Sequence, residues 1–313
     1  MTTAIIHHPV FEQHDTGPGH PESPERYAAV MEALRADSEL WASLREVEAA
    51  EAPRGEVQSC HTPQHFKLVE RAVAEGRGYL DADTIISMRS LEAALRAAGG
   101  ACRAVDMVLA GEAHNAFLPS RPPGHHATPD RAMGFCLFNT AAIAARHAQR
   151  HPEVERVAVI DWDVHHGNGT QGIFYDDPSV FFFSAHQYPW YPGTGARGET
   201  GIGRGRGYTL NAPLRAGTPP AEHRRVFEAA LEEIGAKFKP DFVIVSAGFD
   251  SHRDDPLGQL RLEDEDFISM TRSVKQWARE ACGGRLVSCL EGGYNLETLG
   301  ATVRAHVRTL AEE

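Results

Sequence analysis

The stretch Val157-Ala158-Val159-Ile160-Asp161-Trp162-Asp163-Val164-His165-His166-Gly167-Asn168-Gly169 joins an apolar run directly to two carboxylates and two imidazoles. Val157, Val159 and Ile160 are β-branched, and such a short apolar run reads as a buried strand of a parallel sheet. Side chains alternate along an extended chain, so Asp161, Asp163 and His165 are expected to share one direction. Carboxylate oxygen and neutral imidazole nitrogen are ligands for Zn²⁺ and other divalent first-row ions. One buried aspartate tied to backbone amides would be unremarkable; this density within nine residues points to a metal centre on a strand end. The Gly-Asn-Gly that follows lets the backbone turn away without crowding it.

Three more apolar runs end in chemistry-bearing residues. Residues 113–118 lead into Arg121-Pro122-Pro123-Gly124-His125-His126, where the prolines hold two imidazoles in an extended loop. Phe242-Val243-Ile244-Val245-Ser246 leads to Asp250, and Leu286-Val287-Ser288-Cys289-Leu290 to Glu291-Gly292-Gly293-Tyr294. Further strands are expected at 3–6, 180–185 and 208–211, and helices at 62–75, 90–109, 140–150, 220–238 and 296–311. This alternation predicts an α/β fold with a central, mostly parallel sheet flanked by helices and a site at the C-terminal strand ends. Asp163, His165 and Asp250 would then supply three ligands to one ion and leave a position open, as catalytic zinc sites require.

Several local features are read more plainly. Ser23 is expected to cap a helix that has Pro24 at its first position, and Gly99-Gly100 marks a place where another backbone approaches. His7, His8, His14 and His20 are irregularly spaced and read as structural. Asp83 reads as a capping carboxylate or as an orienting one at a pocket mouth, with capping preferred. Phe135, beside Gly134, fits either a slot wall or the core. Gly193-x-Gly195-x-x-Gly198 matches the dinucleotide fingerprint by letter, but without a strand directly before it and a helix directly after it is read as a surface loop.

Composition narrows the class. The 313 residues, with 42% hydrophobic and 24% charged side chains and no linker-like segment, are read as a single domain over 1–313. The formal charge of −12 argues against nonspecific nucleic-acid binding. The five cysteines form no CxxC pair, so a reducing, cytoplasmic setting is expected. The N-terminus has no signal-peptide pattern, and no run of 18 apolar residues suggests a membrane span.

Taken in order, Gly124-His125-His126, Gly134-Phe135-Cys136, Asp161 through Gln171, Ser246 through Asp250 and Glu291-Gly292-Gly293-Tyr294 resemble the histone deacetylase superfamily. That superfamily includes acetylpolyamine amidohydrolases and bacterial deacetylase-like amidohydrolases. The likeness runs through most of the chain, and His-His-Gly-Asn-Gly-Thr-Gln is similar to the class II form, with Asn168 where class I usually has Asp. The resemblance implies an arginase/deacetylase-like fold, one Zn²⁺ per chain on Asp163, His165 and Asp250, and hydrolysis of an N-acyl amine. By position it implies His126 as the base that takes a proton from water on the ion, with His125 as its electrostatic partner. Asp161 would orient His125, Asn168 would hold His126 through a neutral hydrogen bond, and Tyr294 would donate to the oxyanion. It also implies a structural K⁺ near Asp161, Asp163, His165, Ser184 and Ala185.

For the substrate, the resemblance implies an acyl-lysine channel lined by Gly134, Phe135 and Tyr191, the last where the family more often has Phe. Leu257 falls where polyamine-selective relatives carry an acidic residue, which favours an acylated lysine as partner. Oligomeric state is left open, a homo-oligomer included. An acetylpolyamine amidohydrolase, a two-metal ureohydrolase of the arginase type and a noncatalytic acyl-lysine binding module are the alternatives. The second lacks a further ligand cluster near the strand ends, and the third would be expected to lose Tyr294 or the histidine pair.

Overall fold

The computed structural model describes residues 2–312. Eight strands, β1 (Thr3–His7), β2 (Leu44–Glu48), β3 (Asn115–Leu118), β4 (Val157–Asp161), β5 (Val180–Gln187), β6 (Thr209–Leu214), β7 (Phe242–Ala247) and β8 (Leu286–Leu290), form one sheet in the order β2-β1-β3-β8-β7-β4-β5-β6. Every neighbouring pair is parallel. The α-helices are α1 (Glu25–Ala36), α2 (Ser38–Ser43), α3 (Arg54–Val57), α4 (Pro63–Ala74), α5 (Ser90–Leu109), α6 (Thr140–Ala148), α7 (Asn168–Phe174), α8 (Pro220–Lys237), α9 (Asp264–Cys282) and α10 (Leu296–Ala311). Helices α5 and α6 pack over the central strands, while α1, α10, α9 and α8 form a row in which each packs on the next.

The central strands explain themselves chemically. All residues of β4, β5, β7 and β8 are buried, as helices on both faces require. Strand order reverses around β3-β8-β7-β4, and ligand crevices of open α/β sheets lie beyond the C-terminal strand ends at such a reversal.

Strand β2, the short helices α2, α3 and α7, and helix α9 fall outside the segments assigned from sequence. Strand β2 is a charged, half-exposed edge strand that alternates poorly and is specified by its pairing with β1. Helix α9 has a capping box formed by Glu263 and Asp266 and a left-handed Gly283 after its end; its stripe of Phe267, Met270, Val274 and Ala278 sits among many polar residues. The Ser23 cap is corrected: Pro24 is already helical in backbone, and the Ser23 carbonyl, not its hydroxyl, accepts from Arg26 N–H. The segment 193–198 is a loop as expected, and no helix of the described residues is long and apolar enough to cross a membrane. All five cysteines are free thiols.

At Gly99 the approach is tight. A Cβ there would lie 2.1 Å from Ala50 O and 2.6 Å from Ala52 N, so α5 lies directly against the segment after β2. Gly99→Ala is therefore expected to destabilise the fold by about 1–3 kcal/mol, the usual cost of overpacking. Urea denaturation checks it; an unchanged midpoint would contradict the contact.

Candidate active site

The strand ends are built from carboxylates that backbone N–H groups aim. Strand β4 stops at Asp161, so simple alternation does not carry through to His165 as the sequence suggests. Two successive short turns do the work. Asp161 Oδ1 accepts from Asp163 N–H at 3.0 Å, and Asp163 Oδ1 accepts from His165 N–H at 2.9 Å. Asp250, just beyond β7, accepts from Val164 N–H at 2.8 Å, and Asp163 Oδ2 accepts from Gly292 N–H at 2.8 Å. A Cβ on Gly292 would lie 2.1 Å from Asp250 Oδ2 and 2.6 Å from Asp163 Oδ2, so only glycine fits there.

Asp163, His165 and Asp250 bring ligand atoms within 4.8 Å of one another. His165 Nδ1 lies 3.0 Å from Asp163 Oδ1 and 3.1 Å from Asp250 Oδ2, and both carboxylates are fully buried. Burial, reinforced by the Asp163 charge, raises Asp250 to about 7. Burial acts against His165, but hydrogen bonds and charge from both aspartates raise it to about 10. The site thus concentrates negative charge around one proton-binding nitrogen. A divalent cation fits this donor set, because ligand imidazole gives up its proton and two carboxylates balance the charge.

The histidine pair stands beside it. His125 Nδ1 is 2.9 Å from Asp161 Oδ2, and His126 Nδ1 is 2.8 Å from Asn168 Oδ1. Because Asn168 Oδ1 can only accept, His126 donates Nδ1–H and keeps its lone pair on Nε2. Burial, aided by the His125 and His165 charges, lowers His126 well below the ordinary value. Burial also acts against His125, but Asp163, Asp161 and Glu291 outweigh it and raise that imidazole.

Three positioning groups here carry no role in the sequence reading. Glu291 Oε2 accepts from Gly124 N–H at 2.6 Å and His125 N–H at 3.1 Å, which fixes the histidine loop to the end of β8. Arg26 donates to Gly293 O at 2.6 Å and Glu291 O at 2.5 Å, with its guanidinium 4.8 Å from the Tyr294 ring centre. Glu22 bridges Arg26 and Arg121, all three fully buried. Glu22 and Arg26 lie hundreds of residues from Glu291 and Gly293 in sequence, so no periodic signal points to this role.

A pocket of about 250 Å³ opens onto these groups, lined by Asp83, His126, Gly134, Phe135, His165, Trp190, Tyr191, Pro256, Leu257 and Tyr294. Phe135 is a pocket wall rather than core. It is held at φ 68° after Gly134 at φ 56°, with Met133 and Cys136 bridged across the turn. The Tyr191 ring meets His126 edge-on at 5.0 Å between ring centres. Asp83 is at the mouth, so the capping preference is corrected: its Oδ1 accepts from Gly134 N–H at 3.2 Å. Trp190, given no role from sequence, donates Nε1–H to Leu257 O at 3.0 Å. A larger groove of about 580 Å³ along α8 and α9 is lined by no histidine, aspartate or cysteine. Asp161 and Ser184 are register partners on β4 and β5, and Ala185 follows on β5. His14, among the histidines read as structural, is buried and bonded to Ser90 Oγ at 2.7 Å.

Residues 20–310 match the model of the histone deacetylase domain. The chain belongs to the histone deacetylase family. It is 42% identical over 299 residues to a "Probable deacetylase" of Archaeoglobus fulgidus, covering 95% of this chain and 82% of that one. It is 39% identical over 301 residues to the polyamine deacetylase HDAC10 of Homo sapiens, covering 92% of this chain and 44% of that one. The crystal structure of the HDA15 HD domain superposes with a TM-score of 0.92 at 36% identity, over 99% of this chain and 88% of that one. The arginase/deacetylase fold is thereby shown, and with it an enzyme that hydrolyses the amide of an acylated amine.

Gly292→Ala is expected to push the Asp163 and Asp250 carboxylates apart, and Asp163→Ala or Asp250→Ala to remove one of them. Each should lose the divalent ion of this site together with hydrolysis. Elemental analysis beside an activity assay checks this; full metal retention in Asp163→Ala or Asp250→Ala would remove that residue from the ligand set.

Proposed function

We propose that this chain removes the acyl group, acetyl in the first instance, from the side-chain amine of lysine, with one Zn²⁺ on Asp163, His165 and Asp250. The observation that carries the reading is the shape of the pocket: aromatic walls, Phe135 and Tyr191, lead to His126, His165 and Tyr294 at its floor. Such walls suit a four-methylene stem, whose burial contributes about 0.8 kcal/mol per CH₂. The bound ion supplies a Lewis acid for the amide carbonyl and lowers the pKa of a water toward ~7.

The residues divide the remaining work. His126 Nε2 takes the proton of the attacking water and gives it to the departing amine; its lowered basicity favours the second transfer. His125, held by Asp161, supplies positive charge beside it. Burial raises the Tyr294 hydroxyl well above its ordinary value, so it stays a proton donor aimed at charge developing on the carbonyl oxygen. Asp83 at the mouth can accept an N–H from a peptide backbone. A K⁺ near Asp161, Asp163, His165, Ser184 and Ala185, a single catalytic domain and a cytoplasmic setting belong to the same proposal.

The second reading is acetylpolyamine hydrolysis. A relative is named for that activity, and Asp83 is an acidic group on the pocket wall. Against it stands Leu257, which offers the distal ammonium of a polyamine nothing.

Tyr294→Phe is expected to keep the ion and lose on the order of 10²-fold or more in turnover, the scale for deleting an oxyanion donor. His126→Ala should also keep the ion and lose about 10²- to 10⁴-fold. Steady-state kinetics on metal-loaded protein tests both, and wild-type turnover in either variant removes the role assigned to it.

On substrate choice, kcat/KM is expected to be higher for acetyl-lysine peptides than for acetylspermidine or acetylputrescine, with Leu257→Glu shifting the ratio toward the polyamine. Both substrates on both proteins give the answer. A preference of about tenfold for acetylpolyamine in the unmodified enzyme, a gap of about 1.4 kcal/mol, would put the polyamine reading in its place.

A further inference from the structure

Far from the strand-end site, His147 in the last turn of α6 and His151 in the turn that follows it meet a single carboxylate from α5. His147 Nε2 lies 2.8 Å and His151 Nε2 3.0 Å from the same atom, Asp106 Oδ1. The other nitrogen of His147 is left over. Its Nδ1 faces Glu56 Oε2 on α3 at 3.3 Å, both atoms are buried, and neither has a hydrogen-bond partner. A neutral His147 that donates Nε2–H to Asp106 turns the Nδ1 lone pair onto a carboxylate oxygen. Two buried acceptors face to face are what native structures avoid.

A divalent cation on the Asp106 side removes the conflict. His147 Nε2, His151 Nε2 and Asp106 Oδ1 lie within 4.8 Å of one another. An ion bound to them takes the place of the His147 Nε2 proton, so the remaining ring proton sits on Nδ1, on the side that faces the Glu56 carboxylate at 3.3 Å, and two acceptors no longer oppose each other. A carboxylate on the far side of a ligand imidazole favours that tautomer. The opposite side of the imidazole suits an ion less. Cys102 and Glu56 are within reach there, but the Arg150 guanidinium already pairs with the Glu56 carboxylate. The ring faces are accessible from solvent, with His147, His151 and Asp106 side chains 16%, 31% and 39% exposed. Two imidazoles plus a carboxylate select a first-row ion such as Zn²⁺ over Ca²⁺ or Mg²⁺.

We infer that His147, His151 and Asp106 form a second divalent-metal site, with Glu56 facing the other nitrogen of His147, that staples the end of α6 and the turn after it to α5. It lies just before β4 begins at Val157, at the opposite end of the strand from Asp161, so its role is structural and separate from hydrolysis.

The test is equilibrium dialysis of the metal-stripped full chain against Zn²⁺, read by elemental analysis. Two equivalents are expected for the unmodified chain and one for Asp163→Ala. His151→Gln and Asp106→Asn should each bind one equivalent and still hydrolyse an acyl-amine substrate at close to the unmodified rate. That pattern also separates this site from a two-metal catalytic centre, in which loss of the second ion would abolish activity. As a second readout, Asp163→Ala should melt at a higher temperature with Zn²⁺ than with a chelator, and adding His151→Gln should erase the difference. One equivalent in the unmodified chain, a second equivalent that survives both His151→Gln and Asp106→Asn, or no Zn²⁺-dependent rise in Asp163→Ala overturns the site. If His151→Gln or Asp106→Asn does not fold, the stoichiometry of the unmodified chain and the Asp163→Ala melting difference still decide.

Discussion

Burying Asp161, Asp163, Asp250 and Glu291 together at the C-terminal ends of adjacent strands is the constraint that shapes everything around them. An unpaired buried carboxylate costs several kcal/mol, so each must be met by donors. The donors are mostly backbone. Asp163 N–H, His165 N–H, Val164 N–H, Gly292 N–H and the amides of Gly124 and His125 all point at these four side chains. The loops therefore take the form that solvates the carboxylates, and that form sets His125 and His126 beside the ligand cluster. Asp163 and Asp250, held against His165, give the site a donor set that suits a cation.

Behind the reactive face lies a second buried charge system. Glu22 accepts from Arg26 at 2.8 Å and from Arg121 at 2.5 Å and 2.8 Å, and Arg26 then grips the carbonyls of Glu291 and Gly293. Buried ion pairs are weak sources of net stability, because desolvation offsets attraction. Their effect here is geometric. They tie the loop before α1 to the Gly-Gly-Tyr turn, so the Tyr294 ring rests against Arg26 and its backbone N–H is held by Asp255 Oδ2 at 2.6 Å.

The pocket wall is set by strain of a different kind. Phe135 is the one described non-glycine residue in the left-handed region, a conformation that costs about 1–3 kcal/mol for such a side chain. Gly134 before it has no room for a Cβ, which would lie 2.4 Å from His126 Cδ2. Asp83 and Thr84 accept from the two N–H groups of this turn at 3.2 Å each, which holds the Phe135 ring in the pocket. On the other side, the hydrogen-bond partner of His126 is the neutral Asn168, and burial with the His125 and His165 charges outweighs the Asp163 charge and lowers its basicity.

Local pattern was enough for much of this. Apolar runs bounded by Asp, His and Tyr marked β4, β7 and β8 and the residues just past them, because a parallel strand buried on both faces must be apolar and its end must carry the chemistry. Asp163, His165, Asp250, His125, His126 and Tyr294 were legible for that reason. Edge strand β2 was not, since its pairing with β1 rather than its own composition makes it a strand. The roles of Glu291, Arg26 and Trp190 were not legible either, nor was the meeting of His147 and His151 with Asp106, and for Asp83 local pattern favoured capping over its place at the pocket mouth. Glu291 meets Gly124 across 167 positions and Arg26 meets Gly293 across 267, and sequence spacing says nothing about contacts that only sheet order and loop packing create. The chain's own pattern determined the strands and the ligand types. Which carboxylate faces which donor was decided by tertiary structure, because buried charge is satisfied by whatever group the fold brings within hydrogen-bond distance.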